Sequence, residues 1–353
     1  MTNPFFYGGR IKDPTQFAGR DGELRRIFAG LETACTEGAQ HFSIVGPRRI
    51  GKSSLIYHVA QIYKNRLAHP EQYCFVYIDL DDPRCHKLTG LLHYILQKLN
   101  IAHQDNPSLE IFIEAIDKFR EAEKKIPILC FDEFEHLIKH KSEFPDAVFE
   151  AWRSMGTAGQ VVFITVSKIT LDELIQQGNL TSQFYNIFIL LSLGEFSEEG
   201  TQAFLSLGKN CDRPFTSNEI EKVVELAGHH PAKLQIICNL LYEAKSNPQI
   251  DWDNLVKEYQ EQIKYIFKKP NSLYFLATYL KSLPSFVFVL APRAIGRFFL
   301  DIFNRDKAQD STALLVGWIV LFVLLIVLLG RLDLNKLLES LKNIWLFFFP
   351  PKS

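Results

Sequence analysis

A glycine, a lysine and a serine close one short run, Gly46-Pro47-Arg48-Arg49-Ile50-Gly51-Lys52-Ser53, at the spacing G-x-x-x-x-G-K-[ST]. These residue types at this spacing suit a polyphosphate. Glycines let backbone N–H groups turn inward, Lys52 reaches the β- and γ-phosphates, and the Ser53 hydroxyl is placed to ligate Mg²⁺. Ser54 stands in the helix that starts here, whose positive end faces the same anion. A second run, Ile128-Leu129-Cys130-Phe131-Asp132-Glu133, ends in two carboxylates. Asp132 would share the metal with Ser53, and Glu133 would orient and deprotonate an attacking water. Ser167 ends another apolar run and is a candidate sensor of the γ-phosphate. Gly228-His229-His230-Pro231 reads as a tight turn into a helix N-terminus, a natural contact for nucleotide at Pro231. Either histidine there reads equally as a solvated turn residue.

Strands and helices must alternate to position these groups. His41–Val45, Tyr73–Leu80, Ile126–Phe131, Val161–Val166 and Phe188–Leu193 are short apolar runs bounded by turn residues, and read as five buried strands. Helical periodicity separates them: from Asp21 (a plausible N-cap), through residues 54–60, near 86–100 and 108–123, and through Trp152. Alternation of this kind predicts a parallel sheet covered by helices on both faces. Beyond 196 only helical patterns remain. Ser197 caps one, Ser217 opens a second, Pro231 begins a third, and 251–268 form a fourth. These predict a phosphate-binding α/β core over 1–195 and a helical lid over 196–268.

The chain has 353 residues and a formal net charge of −1, so no global basic field points to nucleic acid. Its six cysteines, at 35, 74, 85, 130, 211 and 238, are scattered without a C-x-x-C, which suggests a reducing compartment and no structural zinc. Cys85-His86 has no second pair at ligand spacing. The first residues lack the charged-then-apolar pattern of a signal sequence, so secretion is not expected.

Residues 311–330 carry no charge, and these 20 residues make a helix of about 30 Å, the thickness of a bilayer's hydrocarbon core. A transmembrane helix is therefore expected, with a tail over 331–353. The segment 269–310 includes the basic, amphipathic Arg293–Leu300, which suits an anionic lipid surface or a soluble helix packed on the lid. Four basic residues flank each side of the span, at 293, 297, 305 and 307 and at 331, 336, 342 and 352, so charge does not orient it. The nucleotide site does, because ATP and Mg²⁺ are abundant in the cytoplasm.

Guanine-specific sites usually show Asn-Lys-x-Asp and Asp-x-x-Gly motifs. Here Ser167-Lys168-Ile169-Thr170 and Asp132-Glu133-Phe134-Glu135 stand instead, so ATP is favoured. Phe17-x-Gly19-Arg20-x-x-Glu23-Leu24, the phosphate loop, Asp132-Glu133 and Gly228-x-x-Pro231 together resemble the AAA-like ATPase domain of the STAND signalling ATPases. They are also similar to archaeal-type and origin-recognition-type AAA+ ATPases. The resemblance covers roughly residues 3–268. It implies a three-layer P-loop NTPase fold of the ASCE/AAA+ kind and a switch that self-associates in its ATP-bound form. The chain departs from that pattern in one respect: between Ile169 and Gly208 there is no Lys or Arg, so the trans-acting arginine of ring motors is missing. The expectation is a slow, membrane-anchored ATPase switch rather than a fast motor, with a nucleotide-binding scaffold without turnover or an initiator-like ATPase as alternatives. Ala313 and Gly317 form a small-x-x-x-small pair that suits packing between spans.

Overall fold

The computed structural model describes residues 3–267, apart from 6, 7, 36, 37, 39, 210 and 248. The expected juxtamembrane segment, transmembrane helix and tail, over 269–353, lie outside the described residues, as does Lys268 at the end of the expected lid. Among the described residues no helix is long and apolar enough to cross a membrane.

Five strands form the sheet: β1 (His41–Val45), β2 (Tyr73–Asp79), β3 (Ile126–Asp132), β4 (Val162–Ser167) and β5 (Phe188–Ser192). Their order is β2-β3-β4-β1-β5, and every pairing is parallel. β4 thus lies between β1, which leads into the phosphate loop, and β3, which ends at Asp132. The central strands β3 and β4 are buried almost throughout, as parallel strands covered on both faces must be.

The helices of this core are α1 (Asp21–Glu32), α2 (Lys52–Ile62), α3 (Leu88–Lys98), α4 (Leu109–Glu123), α5 (Glu135–Lys139), α6 (Asp146–Thr157) and α7 (Leu171–Gln177). Leu24, Ile27, Leu31, Leu55, Ile56 and Val59 of α1 and α2 pack with Phe42, Ile44, Cys130 and Ile164 on one face. On the other, Leu92, Ile116, Leu137, Phe149 and Trp152 meet Phe131 and Phe163. Trp152 lies on Phe131 with ring centroids 5.3 Å apart, at the centre of an aromatic group that includes Phe134, Phe149 and Phe184. Three layers result, as the alternating pattern predicts.

Some boundaries differ from expectation. Asp21 is the first residue of α1 rather than its cap, and Arg20 holds the cap position without a side-chain bond. Asp21 and Glu23 in the first turn still complement the helix dipole. The short helices α5 and α7 escape periodicity because each spans fewer than three turns.

The lid comprises α8 (Glu198–Ser206), α9 (Ser217–Ala227), α10 (Pro231–Ala244) and α11 (Trp252–Ile266). Ser197 caps α8 by accepting from Gly200 N, and Pro231 occupies the first turn of α10. Thr216, just before the expected start of α9, makes a reciprocal capping box with Glu219. The lid core also takes in a residue from the other end of the sequence. Phe5 is fully buried between Phe204 and Phe215, and Asn3 Nδ2 donates to Asn239 Oδ1 at 2.7 Å.

Candidate phosphate and nucleotide site

The loop between β1 and α2 wraps around the lysine side chain. Lys52 Nζ donates to the carbonyls of Gly46 at 2.8 Å and Pro47 at 2.9 Å. Gly46 has no room for a side chain, because a Cβ there would lie 2.4 Å from the Leu193 carbonyl oxygen. Gly51 turns the loop into α2 at φ 98°, a left-handed conformation that glycine adopts freely. Arg49 also has positive φ, 63°, and lies exposed with Pro47 and Arg48 at the tip. Ile50 is buried and anchors the loop from beneath. The Ser54 hydroxyl accepts from Ile11 N at 3.0 Å, which ties the N-terminal segment to the start of α2.

Ser53 and Asp132, 79 residues apart in sequence, meet directly: Ser53 Oγ donates to Asp132 Oδ1 at 3.1 Å. The other carboxylate oxygen accepts from Tyr77 OH at 2.7 Å. Arg10 in turn lies over the rings of Tyr57 and Tyr77, and its Nη1 donates to Tyr77 OH at 2.9 Å. Asp132 is 3% exposed, and burial pushes its carboxyl up against the two hydroxyl donors that favour the ion. A buried carboxylate held by neutral donors beside a serine hydroxyl is a donor set that fits a hard divalent cation such as Mg²⁺.

Glu133 turns the chain out of β3 at φ 53°, a strained value for a non-glycine residue. Its Oε2 accepts from Lys168 Nζ at 2.8 Å, and the same ammonium reaches Glu135 Oε1 at 2.5 Å. Burial pushes Glu133 up, but the hydrogen bond and charge of Lys168, with the charge of Lys52, outweigh it and hold the carboxylate below its ordinary range. Burial likewise pulls Lys168 down, and its two carboxylates win and raise it. The general-base candidate is thus ionised and clamped. For Lys52, burial prevails and lowers the ammonium despite the three carboxylates nearby.

Ser167 ends β4 as expected, but its Oγ donates to Ile169 O at 2.6 Å, within its own turn. The next residue, Lys168, makes the polar contact with Glu133 and Glu135. Pro231 sits on the turn whose His229 carbonyl accepts from Phe196 N at 2.9 Å, so the turn meets the segment joining sheet to lid. His229 Nδ1 also lies 2.8 Å from Thr201 Oγ1, and His230 is buried, so neither is a solvated turn residue.

Arg20 was legible only as one letter of a weak motif, yet it braces this whole corner. It is 4% exposed, and its Nη2 donates to Ile50 O at 2.9 Å and Gly194 O at 2.6 Å. Nη1 pairs with Glu23 at 2.9 Å, and the guanidinium lies 4.7 Å from the centre of the Phe196 ring. Lys168, Tyr77 and Arg10 were missed as well. Their roles arise from strand register and a chain reversal, and no spacing in the sequence encodes either.

The order β2-β3-β4-β1-β5, the phosphate loop after β1 and the acidic pair after β3 are the arrangement of a P-loop NTPase fold. Comparison with known proteins agrees. Residues 35–175 match the family model of the AAA domain. The Walker-type ATPase of Pyrococcus abyssi is 19% identical, with 89% of this chain and 92% of that chain covered and a TM-score of 0.56. The ORC2 protein of Aeropyrum pernix is 12% identical over 99% of this chain and 85% of its own, with a TM-score of 0.61. The ORC1 protein of the same organism, solved in complex with DNA, is 13% identical over 89% of this chain and 84% of its own, with a TM-score of 0.51. No curated protein matches the chain.

Proposed function

We propose that this protein is a slow Mg²⁺-dependent ATPase that works as a nucleotide-operated switch. Residues 311–330 anchor it in a membrane, with the nucleotide domain on the cytoplasmic side. The observation that carries the ATPase reading is the direct contact of Ser53 with Asp132, beside a glutamate clamped by Lys168.

In this reading the ATP phosphates enter the loop, and Lys52 leaves the carbonyls of Gly46 and Pro47 for phosphate oxygens. Ser53 and Asp132 would hold Mg²⁺, which would supply neutralisation of phosphate charge. Glu133 takes the proton of the attacking water once Lys168 is drawn from it, and the incoming γ-phosphate is a competing anion for that ammonium. Arg20 joins the loop at Ile50 O to the segment that leads into the lid at Gly194 O. A change at the phosphates thereby reaches the lid. Slow turnover is supported by the absence of Lys and Arg between Ile169 and Gly208.

The test is multiple-turnover phosphate release by the full chain in detergent, beside a nucleotide-binding measurement. Lys52→Ala should abolish nucleotide binding. Glu133→Gln should keep binding and slow release by about 10²-fold or more. Undiminished turnover in both variants would overturn the site, and binding without turnover in the unaltered chain would favour a nucleotide-binding scaffold. The fold likeness to a protein solved in complex with DNA favours one further reading, an initiator-like ATPase. Salt-dependent retention of DNA by the full chain would support it.

A further inference from the structure

Near the end of β3, the imidazole of His86 meets those of His136 and His140, which lie some fifty residues further along the chain. His86 ends the turn Pro83–His86 that follows β2, His136 lies in α5, and His140 caps the C-terminal end of α5. His136 and His140 are four residues apart, the spacing that puts two side chains on one helical face. One nitrogen from each of the three rings lies within 4.8 Å of the others. His86 stacks on His140 with centroids 4.5 Å apart and planes at 23°.

Two of these rings present nitrogens that nothing among the described residues satisfies. His86 Nε2 and His136 Nδ1 are both buried and have no hydrogen-bond partner. Leaving such a group unpaired is costly, so an unmet pair in one cluster points to a missing partner. The second nitrogen of His136 is taken: Nε2 lies 2.6 Å from Asp81 Oδ1. Lys139 Nζ, on an exposed side chain, lies 2.9 Å from the same nitrogen. In a neutral ring Nε2 serves only one of them. The shorter contact, to the carboxylate, makes Nε2 the donor and leaves a lone pair on Nδ1. A carboxylate that orients an imidazole from behind is the usual support of a metal-binding histidine.

We propose that His86, His136 and His140 form a binding site for a divalent transition metal, Zn²⁺ foremost, with Asp81 orienting His136. Three imidazoles make a nitrogen donor set that suits Zn²⁺ and leaves a fourth tetrahedral position for water. The oxygen donors at Ser53 and Asp132 suit a harder ion, so the two sites select different metals. Tetrahedral Zn²⁺ with nitrogens at about 2.0–2.1 Å needs them roughly 3.3 Å apart. Rotation of side chains at the exposed end of α5 closes the present spread. The bound ion would tie the end of β2 to α5, which starts two residues after Glu133.

The test strips the full chain with a chelator and titrates it with Zn²⁺ alone, without nucleotide. About one ion should bind per chain. Replacing His86, His136 or His140 by Ala should each weaken binding at least about tenfold, Asp81→Asn by about tenfold, and Asp132→Asn not at all. Co²⁺ added to the unaltered chain should give the visible absorption of a four-coordinate site, a readout independent of any variant's folding. No stoichiometric uptake, affinity unchanged from the unaltered chain in the three histidine variants, or loss of binding on Asp132→Asn alone would overturn the proposal.

Discussion

At the scale of single residues, Glu133 and Lys168 state the problem this site solves. The carboxylate that accepts a proton from water in the proposed reaction is held below its usual range by an ammonium at 2.8 Å. The strained backbone of Glu133 aims its side chain back toward the end of β4, where Lys168 stands. Removing the clamp should free the base. Lys168→Met is predicted to raise basal phosphate release by up to about tenfold, since roughly 1.4 kcal/mol of lost pairing is tenfold in rate. Steady-state release with saturating ATP checks this, and a slower variant would mean that Lys168 acts on the phosphate instead. Tyr77 is the other residue whose role is local. Burial and the charge of Asp132 push its phenol well up, so it stays a donor to the carboxylate.

Between elements, two buried groups carry much of the connection. His41 on β1 is almost fully buried, and its Nδ1 accepts from Phe163 N of β4 at 3.0 Å. Burial pulls its pKa from 6.5 down to about 4, against a bond to the Gly156 backbone of α6 that favours the charged form. The folded protein therefore refuses a proton that the unfolded chain accepts. Stability should fall as pH drops from about 6.5 to about 4, by up to about 1.4 kcal/mol per pH unit from this residue, and the loss should level off below that. Thermal unfolding across that window, with His41→Asn beside the unaltered chain, measures the slope. The variant should be less stable at pH 7 but shallower. Arg20 joins α1, the phosphate loop and the lid. Arg20→Ala leaves the carbonyls of Ile50 and Gly194 without this donor and should cost about 2–3 kcal/mol in chemical denaturation. Arg20→Lys should restore only part of it, because an ammonium cannot span both oxygens and still cover Phe196.

For the whole molecule, the N-terminal segment ties the two halves of the described chain together. Phe5 completes the lid core, while Arg10 and Ile11 contact β2 and α2. Phe5→Ala should therefore loosen the lid by about 3–5 kcal/mol, read as a lower denaturation midpoint. The membrane proposal is tested at this scale too. The full chain should partition with membranes, and a chain ending before 311 should not. If the switch reading holds, the membrane-bound protein should form larger assemblies with ATP than with ADP, as measured by crosslinking.

Much of the fold was legible because its signals are local. Five apolar runs became five strands within a residue or two, since burial on both faces demands unbroken apolar sequence. Ser197 and Pro231 marked helix starts because capping is a matter of neighbouring residues. The phosphate loop and the acidic pair followed from residue type and spacing alone. The tertiary structure decided what lies across the chain. It placed Ser53 against Asp132, put Lys168 rather than Ser167 in contact with the acids, made Arg20 a brace, and gathered His86, His136 and His140 into one cluster. Strand order and backbone reversals fix these meetings, and such long-range closures leave no periodic trace in sequence.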